Sequence, residues 1–261
     1  MHRSLSHIDP QAQVAKNVVV EPFVTIEKNV EIGSGTWIGA NATIMEGARI
    51  GKNCEIFPGA VISAIPQDKK FNGEESLAII GDNTIIRECV TVNRATNATG
   101  KTIIGDNCLI MAYAHIAHDC KIGNHSIIVN NVALGGHIDI GEYAIIGGLT
   151  AVHQFVKIGK HTMISGGSLV RKDVPPYVKA GREPLSFIGI NSIGLRRRNF
   201  LEEDIREIQE IYRFLYQKNF NNTQAINKIG AEFKVSKIRD EIISFVQNSG
   251  RGIMRGYNQN R

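Results

Sequence analysis

The stretch "VTIEKNVEIGSGTWIGANATIMEGARIGKNCEI" (Val24–Ile56) decides the fold of this chain. Isoleucine recurs at every sixth position within it, at Ile26, Ile32, Ile38, Ile44, Ile50 and Ile56. A period of six matches neither the period of an α-helix nor the alternation of a plain strand. It is typical of a short strand followed by a sharp bend, and the glycines that follow several of these isoleucines ease such a bend.

The same phase continues in both directions from this stretch. Of the 28 positions spaced by six from Ile8 to Val170, 25 are isoleucine, valine or leucine, and the exceptions are Asp68, Glu74 and Ala98. A second column, four residues later in each repeat, holds small or β-branched residues. Three such sides close a triangular coil whose large aliphatic side chains stack inside. The pattern therefore predicts a mainly β protein, a parallel β-helix of hexapeptide repeats.

The phase breaks at two polar segments, residues 63–79 and 93–103. We expect both segments to be loops that leave the coil, and long loops on a rigid scaffold often carry function. Beyond Val170, three prolines end the coil.

The last part of the chain has a different period. Apolar residues recur there at helical spacing, namely Leu201, Ile205, Ile208, Ile211, Tyr212 and Leu215. Two further helices are predicted near 223–233 and 236–248. We therefore expect a hexapeptide-repeat domain at 1–189 and a C-terminal helical domain at 190–261.

Composition and cysteine spacing favour a soluble protein of the cytoplasm. The chain has no run of about 20 apolar residues, so we expect no stable membrane insertion. Its beginning, "MHRSLSHIDP", lacks the apolar segment of a secretory signal. None of the four cysteines forms a C-x-x-C pair, and Cys54, Cys108 and Cys120 fall in the small inner column, where we expect them to pack in the core.

The positive charge of the chain is concentrated near its C-terminus. Residues 190–261 carry 13 basic and 8 acidic side chains, whereas residues 1–189 carry 17 of each. Three consecutive arginines, Arg196 to Arg198, begin this segment. The asymmetry favours an acidic partner, which is a phosphorylated ligand, an acidic protein or a nucleic acid.

The coil also predicts a cluster of histidines. Three repeats make one coil, so Gly136 lies one coil after His118, and His137 one coil after Asp119. His153 follows within a further coil. Coils are about 4.8 Å apart, so these residues gather within about 10 Å on one edge of the prism. His118 belongs to neither inner column, and we expect it to project outward at a bend.

Three interpretations of this cluster remain open at this point. His118 is suited to act as a general base, with Asp119 as the nearest carboxylate to orient it and the Gly136 N–H to stabilise an oxyanion. Alternatively, imidazoles that meet where subunits touch bind zinc. The third interpretation is that these are surface histidines without a chemical role.

Six stretches make the sequence similar to a known family over nearly the whole chain. They are "QDKKF" (67–71), "YAHIAHDC" (113–120), "LGGHI" (134–138), "AIIGGLTAVHQF" (144–155), "DVPPYV" (173–178) and "GLRRRNF" (194–200). The chain resembles the UDP-N-acetylglucosamine acyltransferases of lipid A biosynthesis. This resemblance implies a left-handed coil, a homotrimer, and transfer of an (R)-3-hydroxyacyl group from acyl carrier protein to the 3-hydroxyl of UDP-N-acetylglucosamine. It implies no cofactor, no metal, no acyl-enzyme and no nucleic-acid partner.

The resemblance also assigns roles to residues of this sequence. His118 matches the general base, Asp119 the residue that orients it, and Gly136 the oxyanion donor. The remaining matches are Asp68 and Lys70 to sugar-nucleotide contacts, His115, His137, His153 and Gln154 to the cleft lining, Gly166 to a gauge of acyl length, and Asn191 and Arg197 to nucleotide contacts.

The chain departs from the family pattern at two places. It has "NRAT" at Asn93 to Thr96, where the family often has H-R-G-T, and Ile193 where the family often has glutamate. A hexapeptide acyltransferase that uses another UDP-sugar is therefore one alternative. A zinc enzyme similar to the γ-class carbonic anhydrases is a second. A non-catalytic β-helix is disfavoured by the irregular polar faces.

Overall fold

The structure, a computed structural model, describes residues 5–217 and 220–256. The strands, in chain order, are β1 (His7–Ile8), β2 (Gln13–Val14), β3 (Val19–Val20), β4 (Thr25–Ile26), β5 (Glu31–Ile32), β6 (Trp37–Ile38), β7 (Thr43–Ile44), β8 (Ala48–Ile50), β9 (Glu55–Ile56), β10 (Val61–Ala64), β11 (Leu77–Ile80), β12 (Ile85–Ile86), β13 (Thr91–Asn93), β14 (Lys101–Ile104), β15 (Leu109–Ile110), β16 (His115–Ile116), β17 (Lys121–Ile122), β18 (Ile127–Ile128), β19 (Ala133–Leu134), β20 (Asp139–Ile140), β21 (Ile145–Ile146), β22 (Ala151–Val152), β23 (Lys157–Ile158), β24 (Met163–Ile164), β25 (Leu169–Val170), β26 (Val178–Gly181), β27 (Ser186–Ile190) and β28 (Arg255–Gly256). The helices are α1 (Ser192–Arg197), α2 (Glu202–Gln217), α3 (Asn222–Glu232) and α4 (Lys237–Gln247).

Successive short strands lie on the three faces of a prism. The first face is a sheet of nine strands from β1 to β25, the second has eight from β2 to β23, and the third has eleven that include β26 to β28. Within the coil, each strand pairs in parallel with the strand one coil later, as His115 does with Ala133. The chain is a left-handed parallel β-helix with a C-terminal helical region, which confirms the predicted fold class.

The interior of the prism is filled by the two predicted columns. From Ile26 to Ile164 the isoleucines of the six-residue phase are almost fully buried, and Ile26, Ile38 and Ile116 have no exposed surface. Ala42 and Cys54, from the small column, are equally buried beside them. Burying an isoleucine side chain contributes about 1.5–3 kcal/mol relative to leaving it exposed, so the stacked column supplies the main driving force of this domain.

From Phe23 onward, most bends of the coil place one residue in the left-handed backbone region. At many bends that residue is asparagine, with φ of 53° at Asn29 and 60° at Asn41. Asparagine is one of the few non-glycine residues that enter this region at low cost. On the edge between the first and second faces, the same bend position is taken by Asp119, His137 and Phe155, at φ of 61°, 61° and 65°. Earlier coils of this same edge carry Asn29 and Gly47 at that position, so the repeat stacks these larger side chains on the later coils.

Both excursions leave the coil at the edge between the first and second faces. The first loop follows β10 and ends before β11, and the second lies between β13 and β14. The loops therefore span 65–76 and 94–100, which is shorter than the predicted 63–79 and 93–103. The difference arises because Leu77–Ile80 pairs along its full length with Lys101–Ile104, so strand structure resumes earlier than the aliphatic phase indicates.

The helical segment covers the last coil. β26 pairs antiparallel with β27, so the predicted division after residue 189 falls within a strand. Helices α3 and α4 lie within one residue of the predicted ranges. Tyr212 anchors α2, since its hydroxyl donates to the Pro176 carbonyl oxygen at 2.6 Å. Leu201 is 60% exposed, and the buried stripe begins at Ile205.

The four cysteines are free thiols, and three of them are buried as predicted for the small column. Burial is the main cause that raises the pKa of the Cys120 thiol to about 12, so this thiol is not a nucleophile at neutral pH. Within 5–217 and 220–256, every helix is too short or too polar to cross a bilayer.

Candidate active site

His118 and Asp119 form a hydrogen-bonded pair at the bend between β16 and β17. The distance between His118 Nδ1 and Asp119 Oδ2 is 2.7 Å. The bend position was predicted, but the imidazole does not project into solvent, since His118 is only 5% exposed. It is covered because its ring packs edge-on against His137, with the ring centroids 5.1 Å apart.

Asp119 is an ionised carboxylate in a buried position. Its side chain has no exposed surface, and both of its oxygens accept hydrogen bonds from the loop at 94–100. Burial acts to raise the pKa of this carboxyl, but hydrogen bonds from Thr99, His118 and Thr96 outweigh burial and hold the pKa below its ordinary value. An ionised Asp119 accepts from the Nδ1–H of His118, and this leaves the Nε2 lone pair available to take a proton.

Gly136 lies directly under the His118 ring. A Cβ at this residue would lie 2.6 Å from His118 Cε1 and 2.8 Å from Nε2, distances that real Cβ atoms do not show. Any side chain here would push the ring aside, so the His118 position requires glycine. The Gly136 N–H donates no hydrogen bond to any other residue in the described ranges, which leaves it available to a developing negative charge.

Two further histidines surround the pair. His137 Nε2 is 3.8 Å from Asp119 Oδ2, and its ring stacks on Phe155 at 4.6 Å between centroids. His115 Nδ1 lies 2.7 Å from Thr91 Oγ1. Burial, assisted by the nearby His118, lowers the pKa of His115, so this imidazole is neutral at pH 7. The predicted stacking of His137 above Asp119 is confirmed.

The donor geometry of this cluster fits a hydrogen bond better than a shared metal. In the described part of the chain, the one group of three potential metal ligands is His118, Asp119 and His137. Two ligands of a tetrahedral zinc, each about 2.0–2.1 Å from the ion, are separated by about 3.3 Å. The 2.7 Å contact of His118 Nδ1 with Asp119 Oδ2 is too short for that arrangement.

Other predicted site residues lie on the same edge. His153 and Gln154 follow β22 at the bend before β23 and are both exposed. His153 Nδ1 lies 3.1 Å from the Gln154 carbonyl oxygen, which is a local contact. Asp68 and Lys70 are in the first loop, where Asp68 Oδ1 accepts from the Lys70 N–H at 2.9 Å.

The predicted residues near the C-terminus have different environments. Asn191 is buried, and its amide group is used within the chain: it caps α1 through Gly194 N and donates to the His161 carbonyl oxygen at 2.9 Å. Arg197 and Ile193 are exposed. Gly166 is on a different edge, between the third and first faces, since it follows β24 and precedes β25.

Sequence reasoning missed two residues of the site, Thr96 and Thr99. Both hydroxyls donate to the Asp119 carboxylate. The available signal was the polar composition of "NRATNATG" (93–100) in a segment that leaves the coil beside the histidines. That signal does not specify which hydroxyl faces which acceptor.

Comparisons with known proteins give a consistent result. Residues 173–254 match the family model described as domain 2 of UDP N-acetylglucosamine O-acyltransferase. Residues 101–136 match the bacterial transferase hexapeptide model, and residues 3–105 match the model of the GMPPB C-terminal domain. The acyl-[acyl-carrier-protein]–UDP-N-acetylglucosamine O-acyltransferase of Halorhodospira halophila is 41% identical over 249 residues, which is 95% of this chain and 96% of that protein.

Solved structures agree over nearly the full length. A UDP-N-acetylglucosamine acyltransferase from Bacteroides fragilis superposes with a TM-score of 0.95 at 50% identity and covers 96% of this chain and 98% of its own. The Francisella novicida enzyme of the same description gives a TM-score of 0.94 at 40% identity, with coverages of 98% and 94%.

Proposed function

The chain belongs to the acyl-[acyl-carrier-protein]–UDP-N-acetylglucosamine O-acyltransferase family, the enzymes of the first step of lipid A biosynthesis, and from that premise we propose that His118 is its general base. The enzyme moves an (R)-3-hydroxyacyl group from acyl carrier protein to the 3-hydroxyl of UDP-N-acetylglucosamine. The observation that supports the role of His118 is the 2.7 Å contact from its Nδ1 to Asp119, since a neutral imidazole that donates its Nδ1–H to the carboxylate carries its lone pair on Nε2.

The reaction follows from the groups at this bend. His118 Nε2 removes the proton of the sugar 3-hydroxyl as the oxygen attacks the thioester carbonyl carbon. The carbonyl oxygen becomes an oxyanion, and the Gly136 N–H donates to it. Collapse of the intermediate breaks the carbon–sulfur bond, and the departing thiolate of the carrier takes the proton from His118. Transfer is direct, which agrees with the burial of Cys54, Cys108 and Cys120.

The proposal is tested with purified protein and mass spectrometry. We incubate the chain with UDP-N-acetylglucosamine and 3-hydroxyacyl carrier proteins of several lengths, and we add a UDP-sugar that bears an amine in place of the 3-hydroxyl as a competing acceptor. The expected product is an ester of UDP-N-acetylglucosamine. If acyl transfer occurred only to the amino sugar, that UDP-sugar and not UDP-N-acetylglucosamine would be the acceptor, and the proposed acceptor would be wrong.

We also propose that the active particle is a homotrimer. Large apolar side chains are exposed on the coil: Tyr113 is 62% and Leu149 71% exposed, two coils apart on the edge between the third and first faces. Met163 and Leu169 are each 40% exposed on the strands beside this edge. Burial against a neighbouring subunit would remove this apolar surface from water and give the histidine cluster a second wall.

The assembly is tested by sedimentation. We expect a single species with the mass of three 28.7 kDa chains. Replacing Leu149 by Asp is expected to shift the protein toward monomer and to reduce activity in parallel, because a charge would be buried in the contact. A monomer with full activity would contradict the trimer and the shared site.

A further prediction concerns donor length. Gly147 and Gly148, and one coil later Gly166 and Gly167, leave four positions of this edge without side chains. If the acyl chain runs between subunits along this path, Gly166→Met blocks the path at residue 166. We then expect the preferred donor to shift from long acyl chains toward chains of about ten carbons, because an extended chain of that size is about 13 Å long at about 1.25 Å per carbon.

The readout is the ratio of kcat/KM for two donor lengths in one preparation. A Cβ at residue 166 would lie 2.9 Å from the Gly148 carbonyl oxygen, so some loss of folded protein is expected. The ratio does not depend on this loss, because the folded fraction is the same for both donors. Leu149→Met, on the same edge, is the matched control. An unchanged order of donors in folded Gly166→Met would show that the acyl chain does not pass this residue.

A further inference from the structure

One carboxylate receives an unusual number of hydrogen-bond donors from a single short loop. Thr96 donates to Asp119 Oδ2 through its hydroxyl at 2.8 Å and its N–H at 3.2 Å. Thr99 donates to Oδ1 through its N–H at 3.1 Å and its hydroxyl at 2.5 Å. With His118, five donors surround this side chain, which has no exposed surface.

The two hydroxyl hydrogens are directed at the carboxylate. Thr96 Oγ1 accepts from the Ala98 N–H at 3.2 Å, and Thr99 Oγ1 lies 3.4 Å from the Lys101 N–H, so each hydroxyl oxygen has a separate donor. The Thr99 hydroxyl also lies 3.1 Å from the Lys101 carbonyl oxygen, but the carboxylate is closer and charged. Hydrogen bonds to a charged acceptor are the stronger ones.

The fold explains why this loop reaches Asp119. The loop leaves the coil between β13 and β14, on the edge that carries the bend between β16 and β17 one coil later. The Asp119 N–H also donates to Thr102 Oγ1 at 2.8 Å, and Thr102 lies in β14, directly after the loop. The loop therefore lies against the bend that carries the base.

We propose that Thr96 and Thr99 are positioning residues that form a clamp on Asp119, fixing its Oδ2 against His118 Nδ1 and keeping the carboxylate ionised. The clamp acts through Asp119 and touches no substrate. The inference rests on the proposed function only for its effect on rate, since the hydrogen bonding of the pair is measured without substrate.

The clamp has a defined effect on protonation of the pair. Donors to the carboxylate stabilise its charged form, so their removal makes the first added proton bind more tightly, whichever residue carries it. The titration midpoint of the pair therefore rises when a hydroxyl is removed, and activity is lost at higher pH than in the wild type. Three other titratable groups lie near the pair, namely His137, His115 and the buried thiol of Cys120, and all three stay in place in every variant.

The test uses Thr99→Val and the double variant Thr96→Val/Thr99→Val, which keep side-chain shape and remove hydroxyl donors. Thr99→Ser restores the donor, and Thr25→Val on an early coil is the matched control. Histidine-labelled ¹⁵N NMR gives the midpoint of the pair without substrate, and pH profiles of kcat/KM give it in turnover.

In the double variant we expect the midpoint to rise by about one pH unit, kcat at neutral pH to fall about tenfold or more, and KM for UDP-N-acetylglucosamine to change less than about twofold. Thr99→Ser, which keeps a hydroxyl at this residue, should have a midpoint and a kcat close to those of the wild type. An unchanged midpoint in folded valine variants would overturn the clamp. Absence of acyl transfer by the wild type would instead refute the proposed function, while the substrate-free NMR result would still decide the clamp.

Discussion

Replacing His118 by alanine is expected to lower kcat at least about 100-fold, because the sugar hydroxyl then has no base to accept its proton. The fold should survive, since Asp119 keeps the four donors of Thr96 and Thr99. We expect KM for UDP-N-acetylglucosamine to change little, because the base acts in the transition state rather than in ground-state binding.

The measurement is steady-state turnover by mass spectrometry, with circular dichroism to confirm folding. His125→Ala is the matched control: His125 occupies the same kind of bend on another edge and stacks on Tyr143, with ring centroids 4.5 Å apart. It should keep kcat within about threefold, because His125 is exposed on another edge and surface substitutions usually change the free energy of unfolding by no more than about 0.5 kcal/mol. Full activity of His118→Ala would remove this histidine from the mechanism.

Asp119→Asn is expected to cost at least about 100-fold in kcat through a different cause. The amide has one acceptor oxygen where the carboxylate has two, and its NH2 group would face donors. Either His118 Nδ1 or a threonine loses its acceptor, and the imidazole no longer holds its proton on Nδ1. An Nε2 that carries the proton cannot remove one from the substrate.

The same substitution should also destabilise the protein. Each buried donor left without an acceptor costs about 1–3 kcal/mol, so we expect a measurable drop in Tm. Activity is therefore normalised to the folded fraction, and ¹⁵N NMR gives the tautomer of His118 directly. Asp139→Asn, an exposed residue on the second face, is the control. A folded Asp119→Asn protein with normal kcat would mean that His118 is oriented without this carboxylate.

Part of the site was predictable because the repeat fixes which residues are neighbours. Strands after the second loop pair at a constant offset of 18 residues, as His115 does with Ala133, so Gly136 and His137 had to lie one coil beyond His118 and Asp119. The conformation of the loop at 94–100 does not follow the repeat, and the donors of Thr96 and Thr99 therefore did not emerge from the sequence. The burial of His118 was missed for a related reason: a side chain outside both inner columns is covered only if neighbouring bends carry bulky rings, as His137 does.

The sequence alone determined the prism, its interior and the edge on which the histidines meet. A six-residue aliphatic period has one compact solution, because large side chains such as Ile26 and Ile116 must stack away from water. Only the tertiary structure decided how Asp119 stays charged and which groups the Asn191 amide contacts. Both depend on hydrogen bonds between segments that are far apart in the chain. Such bonds are short-range and directional, and hydrophobic periodicity does not encode their geometry.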